Sequence, residues 1–218
     1  MIRLENLFIK LDENHTLIGN INIFIPSGSL ISIEGKPGSG KTKLFQVIGL
    51  KNQASSGNLF ILGKNVNKLN RNEISAMHSE ISLVTEDDDL IDNIGVEENI
   101  TLPLITTNKS KEEIQIAVNE LVSWLKIDKI LKKKIVDLSS YEKKMIKFAR
   151  AIIIRPRVLL LDNFFTGINN NYEKKISYLL LALKKIGTTI ISFRNESETS
   201  ILSYNESYKI ENSVLMKL

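Results

Sequence analysis

Gly35-Lys36-Pro37-Gly38-Ser39-Gly40-Lys41-Thr42 fits the pattern G-x-x-x-x-G-K-[ST], and its neighbours are those the pattern requires. Upstream, residues 30–33 form a short apolar run of strand type; downstream, a helical run begins near Lys41 and carries Leu44, Phe45, Val47 and Ile48. Such an arrangement makes an anion nest. Glycines let the backbone wrap a polyphosphate, and the helix N-terminus adds partial positive charge. In this scheme Gly35, Gly38, Ser39 and Gly40 line the phosphates, Lys41 reaches the outer ones, and the Thr42 hydroxyl ligates Mg²⁺. The competing reading, a chance glycine-rich turn before a helix, does not explain why strand, loop and helix fall in register. The stretch implies a bound nucleoside triphosphate.

Around this loop the chain is long enough, at 218 residues, to bury a sizeable core. One nucleotide loop and no internal repeat point to a single domain over residues 1–218. Lys and Arg number 29 against 25 Asp and Glu, a formal charge of +4, but the lysines are spread along the chain. Lysine runs at 132–134 and 143–144 are interleaved with Glu and apolar residues, which reads as solvated helix faces and not as a nucleic-acid stripe. Cysteine is absent, excluding disulfides and thiolate metal sites. His15 and His78 each stand alone, against an imidazole metal site. No apolar run approaches the roughly 18 residues needed to span a bilayer, and the first residues do not lead into a signal-peptide core, so a soluble protein is expected.

Taken in order, residues 2–11 and 20–26 read as an antiparallel strand pair separated by a polar turn at 12–15. A turn is expected at 55–57, followed by a strand over 58–62 that closes at Gly63. A short buried strand at 81–84 runs into four acids at 86–89. Ser110 with Glu113 forms a capping box opening a helix, and residues 138–154 make another helical unit, stopped by Pro156. Val158-Leu159-Leu160-Leu161-Asp162 is a fully apolar strand ending in a carboxylate. A helix over 172–186 ends at Gly187, and a second buried strand follows at 188–193. The alternation predicts an α/β fold: a mostly parallel sheet, an N-terminal antiparallel β layer over residues 2–62, and a helical insert over about 100–155.

With the phosphate loop near residue 40, a strand ending in Asp162 and a Leu-Ser helix entry between them, the chain resembles the nucleotide-binding subunit of an ABC transporter over nearly its whole length. Arg150-Ala151 and residues 156–162 look like the family's stretch from signature helix to Walker B. Residues 166–169 look like its D-loop and 188–194 like its switch strand. The segment at 96–104 is similar to that of envelope ATPases of the Mla/MCE, LolD and FtsE kinds. Residues 90–94 lean toward the Mla type, and the short stretch after the switch strand toward LolD or FtsE. A translation-factor or DNA-repair ATPase fits poorly, because those proteins carry two cassettes or long coiled coils.

The resemblance implies ATP and Mg²⁺ as cofactors, with Thr42 and Asp162 as metal ligands, and it also brings departures into view. The position after the Walker B aspartate, a glutamate in the family, is Asn163; the switch histidine is read as Arg194; the Q-loop glutamine is Glu86; the D-loop aspartate is Asn169. The signature reads Leu138-Ser139-Ser140-Tyr141-Glu142, and Leu11 stands at the adenine-stacking aromatic. Glu86 reads either as a stand-in base or Mg²⁺ ligand, or as the first residue of a solvated acidic loop. Ser139 reads as a nucleotide contact across a dimer, or as a helix cap with Glu142. Taken together, the changes leave the residues of MgATP binding and remove those of hydrolysis. The resemblance further implies a permease-like integral membrane subunit, a second ABC subunit as homo- or heterodimer partner, no nucleic acid, and a place on the inner face of the cytoplasmic membrane. Envelope lipid or lipoprotein transport with weakened or absent hydrolysis is the function expected; an active transport ATPase and an FtsE-like cell-division regulator are the alternatives.

Overall fold

The computed structural model describes residues 1–218 except 13, 14, 88, 108 and 199. The polar turn expected at 12–15 and the acidic run at 86–89 therefore each include positions outside the described residues. The strands are β1 (Ile2–Lys10), β2 (Thr16–Ile25), β3 (Leu30–Gly35), β4 (Ser56–Ile61), β5 (Lys64–Asn65), β6 (Ile81–Val84), β7 (Val158–Asp162), β8 (Thr189–Asn195), β9 (Glu206–Glu211) and β10 (Val214–Lys217). The α-helices are α1 (Lys41–Ile48), α2 (Arg71–His78), α3 (Val96–Thr101), α4 (Lys111–Leu125), α5 (Ser140–Ile152) and α6 (Asn170–Lys185).

Two sheets result. One is antiparallel, in the order β2-β1-β4-β5; the other runs β10-β9-β3-β8-β7-β6 and is parallel except where β10 returns along β9. The phosphate-loop strand β3 lies within the span assigned to the antiparallel layer, yet it pairs with β8 and β9 in the parallel sheet. Strand parity explains how one sheet supports two cores. Val158 and Leu160 of β7 face a core shared with α1 and the antiparallel sheet, while Leu159 and Leu161 face one built with α3 to α6. Every residue of β7 is buried, as expected of a strand covered on both sides.

Several boundaries differ from expectation. β2 starts at Thr16, earlier than residue 20, and Ser56 and Gly57, expected in a turn, belong to β4. Gly57 adopts φ +87°, and a Cβ there would fall on the Asn6 carbonyl, at the point where the register between β1 and β4 shifts. A bulge, not a turn, requires this glycine. The Ser110–Glu113 capping box is present, and α4 follows it directly. Helices α2 and α3 and the terminal hairpin β9–β10 were not foreseen.

Candidate nucleotide-binding site

β3 delivers the chain into the loop at its C-terminal end, where ligands of parallel α/β sheets collect. Gly38 and Gly40 take φ +80° and +96°, and a side chain on Gly40 would come within 2.9 Å of Ile18. At Gly35 a Cβ would stand 2.7 Å from Ser39 Oγ. Helix α1 begins at Lys41 with no side chain capping it and no acid in its first turn, so its leading N–H groups remain available to an anion. Lys41 Nζ folds back to donate to the carbonyls of Gly35 (2.6 Å) and Lys36 (3.0 Å). Burial holds its pKa below the ordinary lysine value, opposed by the negative charges of Asp162, Glu198 and Glu196.

A cavity of about 470 Å³ opens over the loop, its lining including Leu17, Gly38, Gly40, Lys41, Thr42, Glu86, Asn163 and Asn195. A second of about 310 Å³ adjoins it at Thr42, Glu86 and Asp162. Asp162, 5% exposed, has an Oδ1 buried without a hydrogen-bond partner among the described residues. Burial, followed by the nearby Glu86 charge, pushes its carboxyl up to about 6, with Lys41 pulling the other way. A buried carboxylate short of a partner, beside the Thr42 hydroxyl, fits a divalent cation; Ser39 Oγ, also buried without a partner among the described residues, fits a phosphate oxygen. Thr42 and Asp162 would hold Mg²⁺, which when bound neutralises phosphate charge.

Asn163 takes a left-handed φ of 44°, which Asn tolerates better than most residues. Its N–H donates to the Phe193 carbonyl (2.9 Å), and its Nδ2 donates to Glu86 Oε2 (3.0 Å). The structure thus joins Asn163 and Glu86, which lie 77 residues apart in sequence.

Arg194 stands elsewhere. Its guanidinium pairs with Glu34 (Nη2 to Oε2, 3.1 Å) on the neighbouring strand β3, and it is not among the residues lining the cavity. Asn195 is, because β8 pairs it with Gly35, the first residue of the loop. Alternation along β8 sends adjacent side chains to opposite faces, so the position read one residue early misses the pocket. Leu11, 62% exposed, is likewise outside the lining, which takes in Leu17 instead.

Ser139 does not reach this cavity within the chain. It caps α5: its Oγ accepts from the Glu142 N–H (3.2 Å) and donates to Glu142 Oε2 (2.9 Å), while its own N–H donates to Glu142 Oε2 (2.8 Å). Lys133 donates to the same carboxylate at Oε1 (2.8 Å), and these partners hold Glu142 at a pKa of about 2. Tyr141 packs on Tyr172, ring centres 4.8 Å apart, and burial raises its phenol pKa. Asn169 caps α6, accepting from the N–H groups of Asn171 and Tyr172.

Glu198, which hydrogen-bonds Thr166 and adds negative charge near Lys41, was also not singled out from the sequence. Nor was Lys147, a residue 6% exposed whose ammonium donates to the carbonyls of Thr85 (3.0 Å), Glu86 (3.3 Å) and Asp87 (2.7 Å). The only local signal was a lysine on the apolar side of an amphipathic helix.

A parallel sheet feeding a glycine loop, a lysine folded over it and a carboxylate at the end of β7, one strand removed from β3, define a phosphate-loop nucleotide-binding protein. Residues 18–166 match the family model described as ABC transporter, and the chain belongs to that family. Among curated proteins, a methionine import ATP-binding protein MetN from Francisella tularensis is 30% identical over 91% of this chain and 58% of its own length. The chain thus spans about three-fifths of that relative. The lipoprotein-releasing system ATP-binding protein LolD from Aquifex aeolicus is 27% identical over 94% of this chain and 91% of its own. In fold, the chain matches the dimeric ATP-binding cassette MJ0796 bound to ADP and phosphate (TM-score 0.89, 24% identity, 100% and 99% of the two chains). It also matches cbiO1 from Clostridium perfringens, part of the transporter complex cbiONQ (TM-score 0.85, 23% identity, 99% and 86%).

Proposed function

We propose that this chain, acting as one nucleotide-binding unit over residues 1–218, is the ATP-binding subunit of an ABC-type membrane complex and hydrolyses ATP slowly. The observation that carries this reading is Asn163 at the mouth of an otherwise complete phosphate pocket. Lys41, Thr42 and Asp162 converge there, but the amide at 163 orients a water without accepting its proton. Loss of general-base help is worth roughly 10²–10⁴ in rate. Asn195, and not Arg194, takes the switch position in this reading, and its amide is equally unable to carry a proton away.

A second reading is favoured by the Asn163–Glu86 hydrogen bond of 3.0 Å. Here Glu86 accepts the water's proton while Asn163 holds the carboxylate in place, and the chain is an active ATPase. Glu86→Gln separates the two: unchanged turnover removes the role of Glu86 as base.

A permease-like subunit docks, in this proposal, into the groove of about 1130 Å³ whose lining includes Ala76, Leu83, Asp89, Pro103, Thr106 and Arg150. Asp89 lines this groove and pairs with Arg150 (2.6 Å), and its carboxylate, 39% exposed, is the one a basic docking segment would share. Asp89→Lys should weaken complex formation by pull-down, and undiminished capture would refute this use of the charge. Among the described residues no helix is long and apolar enough to cross a membrane; attachment at the cytoplasmic membrane comes through that subunit. A second cassette completes the assembly, and nucleic acid is not a partner. Envelope lipid or lipoprotein movement is the cargo proposed, supported by the LolD relative and the segment at 96–104; the MetN relatives support amino-acid import as the other cargo, and release of lipoprotein against uptake of methionine in a deletion strain discriminates them.

The deciding experiment measures ATP binding and steady-state hydrolysis, alone and with the membrane subunit, against Lys41→Ala. Lys41-dependent binding with turnover near background is expected. Turnover equal to that of intact family members would reject slow hydrolysis.

A further inference from the structure

α5 carries three cations at successive three-residue steps, each engaged with a loop beside the cavity. Lys144 Nζ donates to the Thr166 carbonyl (2.7 Å), in the loop that follows Asn163. Arg150 donates to the Asp89 carbonyl (2.9 Å) and pairs with its carboxylate. Between them, Lys147 collects the carbonyls of three consecutive residues, 85 to 87. An ammonium is costly to bury unless its three protons are all satisfied, and carbonyl dipoles satisfy them here. Three consecutive carbonyls turned onto one point curl the main chain around the cation. The curl sits at the end of β6, and the Glu86 side chain leaves it on the cavity side, where its carboxylate meets Asn163 Nδ2.

We propose that Lys147 is a positioning residue: by gathering the carbonyls of residues 85–87 onto α5 it sets the Glu86 carboxylate beside Asn163 and the Thr42–Asp162 corner of the cavity. Lys144 supports the same geometry from the other side, by fixing the loop that bears Asn163. This inference rests on the cavity being the MgATP site, and it concerns where the charge of Glu86 stands under either reading of turnover. A carboxylate next to Thr42 and Asp162 strengthens the hold on a divalent cation; freed from its anchor, it swings into solvent and that contribution goes.

The test is the Mg²⁺ concentration that half-saturates binding of a fluorescent ATP analogue, measured on the whole chain for the parent, Lys147→Met, Glu86→Gln and the double variant. Each single change should raise that concentration about threefold to tenfold, as expected when one screened negative charge leaves a divalent site. The double variant should match the singles, because both remove the same charge. Binding of the analogue without Mg²⁺ should change less than about twofold. Multiplied shifts in the double variant, or a Lys147→Met value equal to the parent, would overturn the positioning role, as would a Glu86→Gln value equal to the parent. If Lys147→Met does not fold, Lys147→Gln, which keeps two of the three donors, takes its place with a smaller shift in the same direction; failure of both to fold would make Lys147 a stability residue and reject the proposal. Lys41→Ala is the separate control: analogue binding that survives it refutes the ATP site itself, whatever Lys147 does.

Discussion

Asp162 shows what a binding site costs a fold at the scale of one residue. Its carboxyl titrates near 6 in the folded chain against an ordinary value of 3.8, burial being the main cause. Below 3.8 the group is neutral in both folded and unfolded chains and exacts no penalty. Between about 3.8 and 6 the unfolded chain ionises this acid while the folded one keeps its proton, so stability falls across that window, and by pH 7 the loss is complete at about 3 kcal/mol for a shift of this size. Asp162→Asn should therefore raise the melting temperature of the nucleotide-free chain by several degrees at pH 7.5, and by little at pH 4. It should also abolish the Mg²⁺ dependence of ATP binding. A melting temperature unchanged at both pH values would contradict the strain assigned to this carboxylate. The sequence made Asp162 legible because four apolar residues precede it. It did not reveal Asn195: side-chain parity follows from the pairing of β8 with β3, which one strand read alone does not supply.

At the scale of elements, the helix entries were the most legible features. Ser110 with Glu113 and Ser139 with Glu142 are local signals that need no tertiary context. Ser139→Ala should cost about 1 kcal/mol in urea unfolding; no loss would mean that the Lys133–Glu142 pair carries the helix entry by itself. The helix-cap reading of Ser139 is met within the chain, where its hydroxyl engages Glu142; a nucleotide contact across a dimer stays a proposal. β9 and β10 were illegible for the opposite reason. Glu206, Lys209, Glu211 and Lys217 break the apolar pattern of these strands, and their ion pairs, Lys209 with Glu211 and Lys217 with Glu206, exist only once the strands are placed. Helix α2 has a mostly exposed, polar surface and buries only Met77, too little periodicity to announce it.

For the whole molecule, the phosphate loop leads into α1, which is wedged between the two sheets inside one core through Leu44, Phe45, Val47 and Ile48. Ligand held there is linked to global unfolding. MgATP at a hundred times its dissociation constant should add about 2.7 kcal/mol, or about 5–10 °C in melting temperature for a chain of this length. Lys41→Ala should show little of this shift, and an equal shift in that variant would place the ligand elsewhere. The parallel sheet and its antiparallel cover were foreseen from alternation of strand and helix. The membership of β3 in the parallel sheet was hidden, because its partners β8 and β9 lie more than 150 residues away.

The 3.0 Å contact between Asn163 and Glu86 makes the two positions interdependent. A glutamate introduced at 163 alone would face Glu86 at hydrogen-bond distance, two like charges beside the buried Asp162, in a left-handed backbone that asparagine accommodates with less penalty. The two sites therefore show epistasis: an acid at 163 is tolerated only when position 86 changes with it.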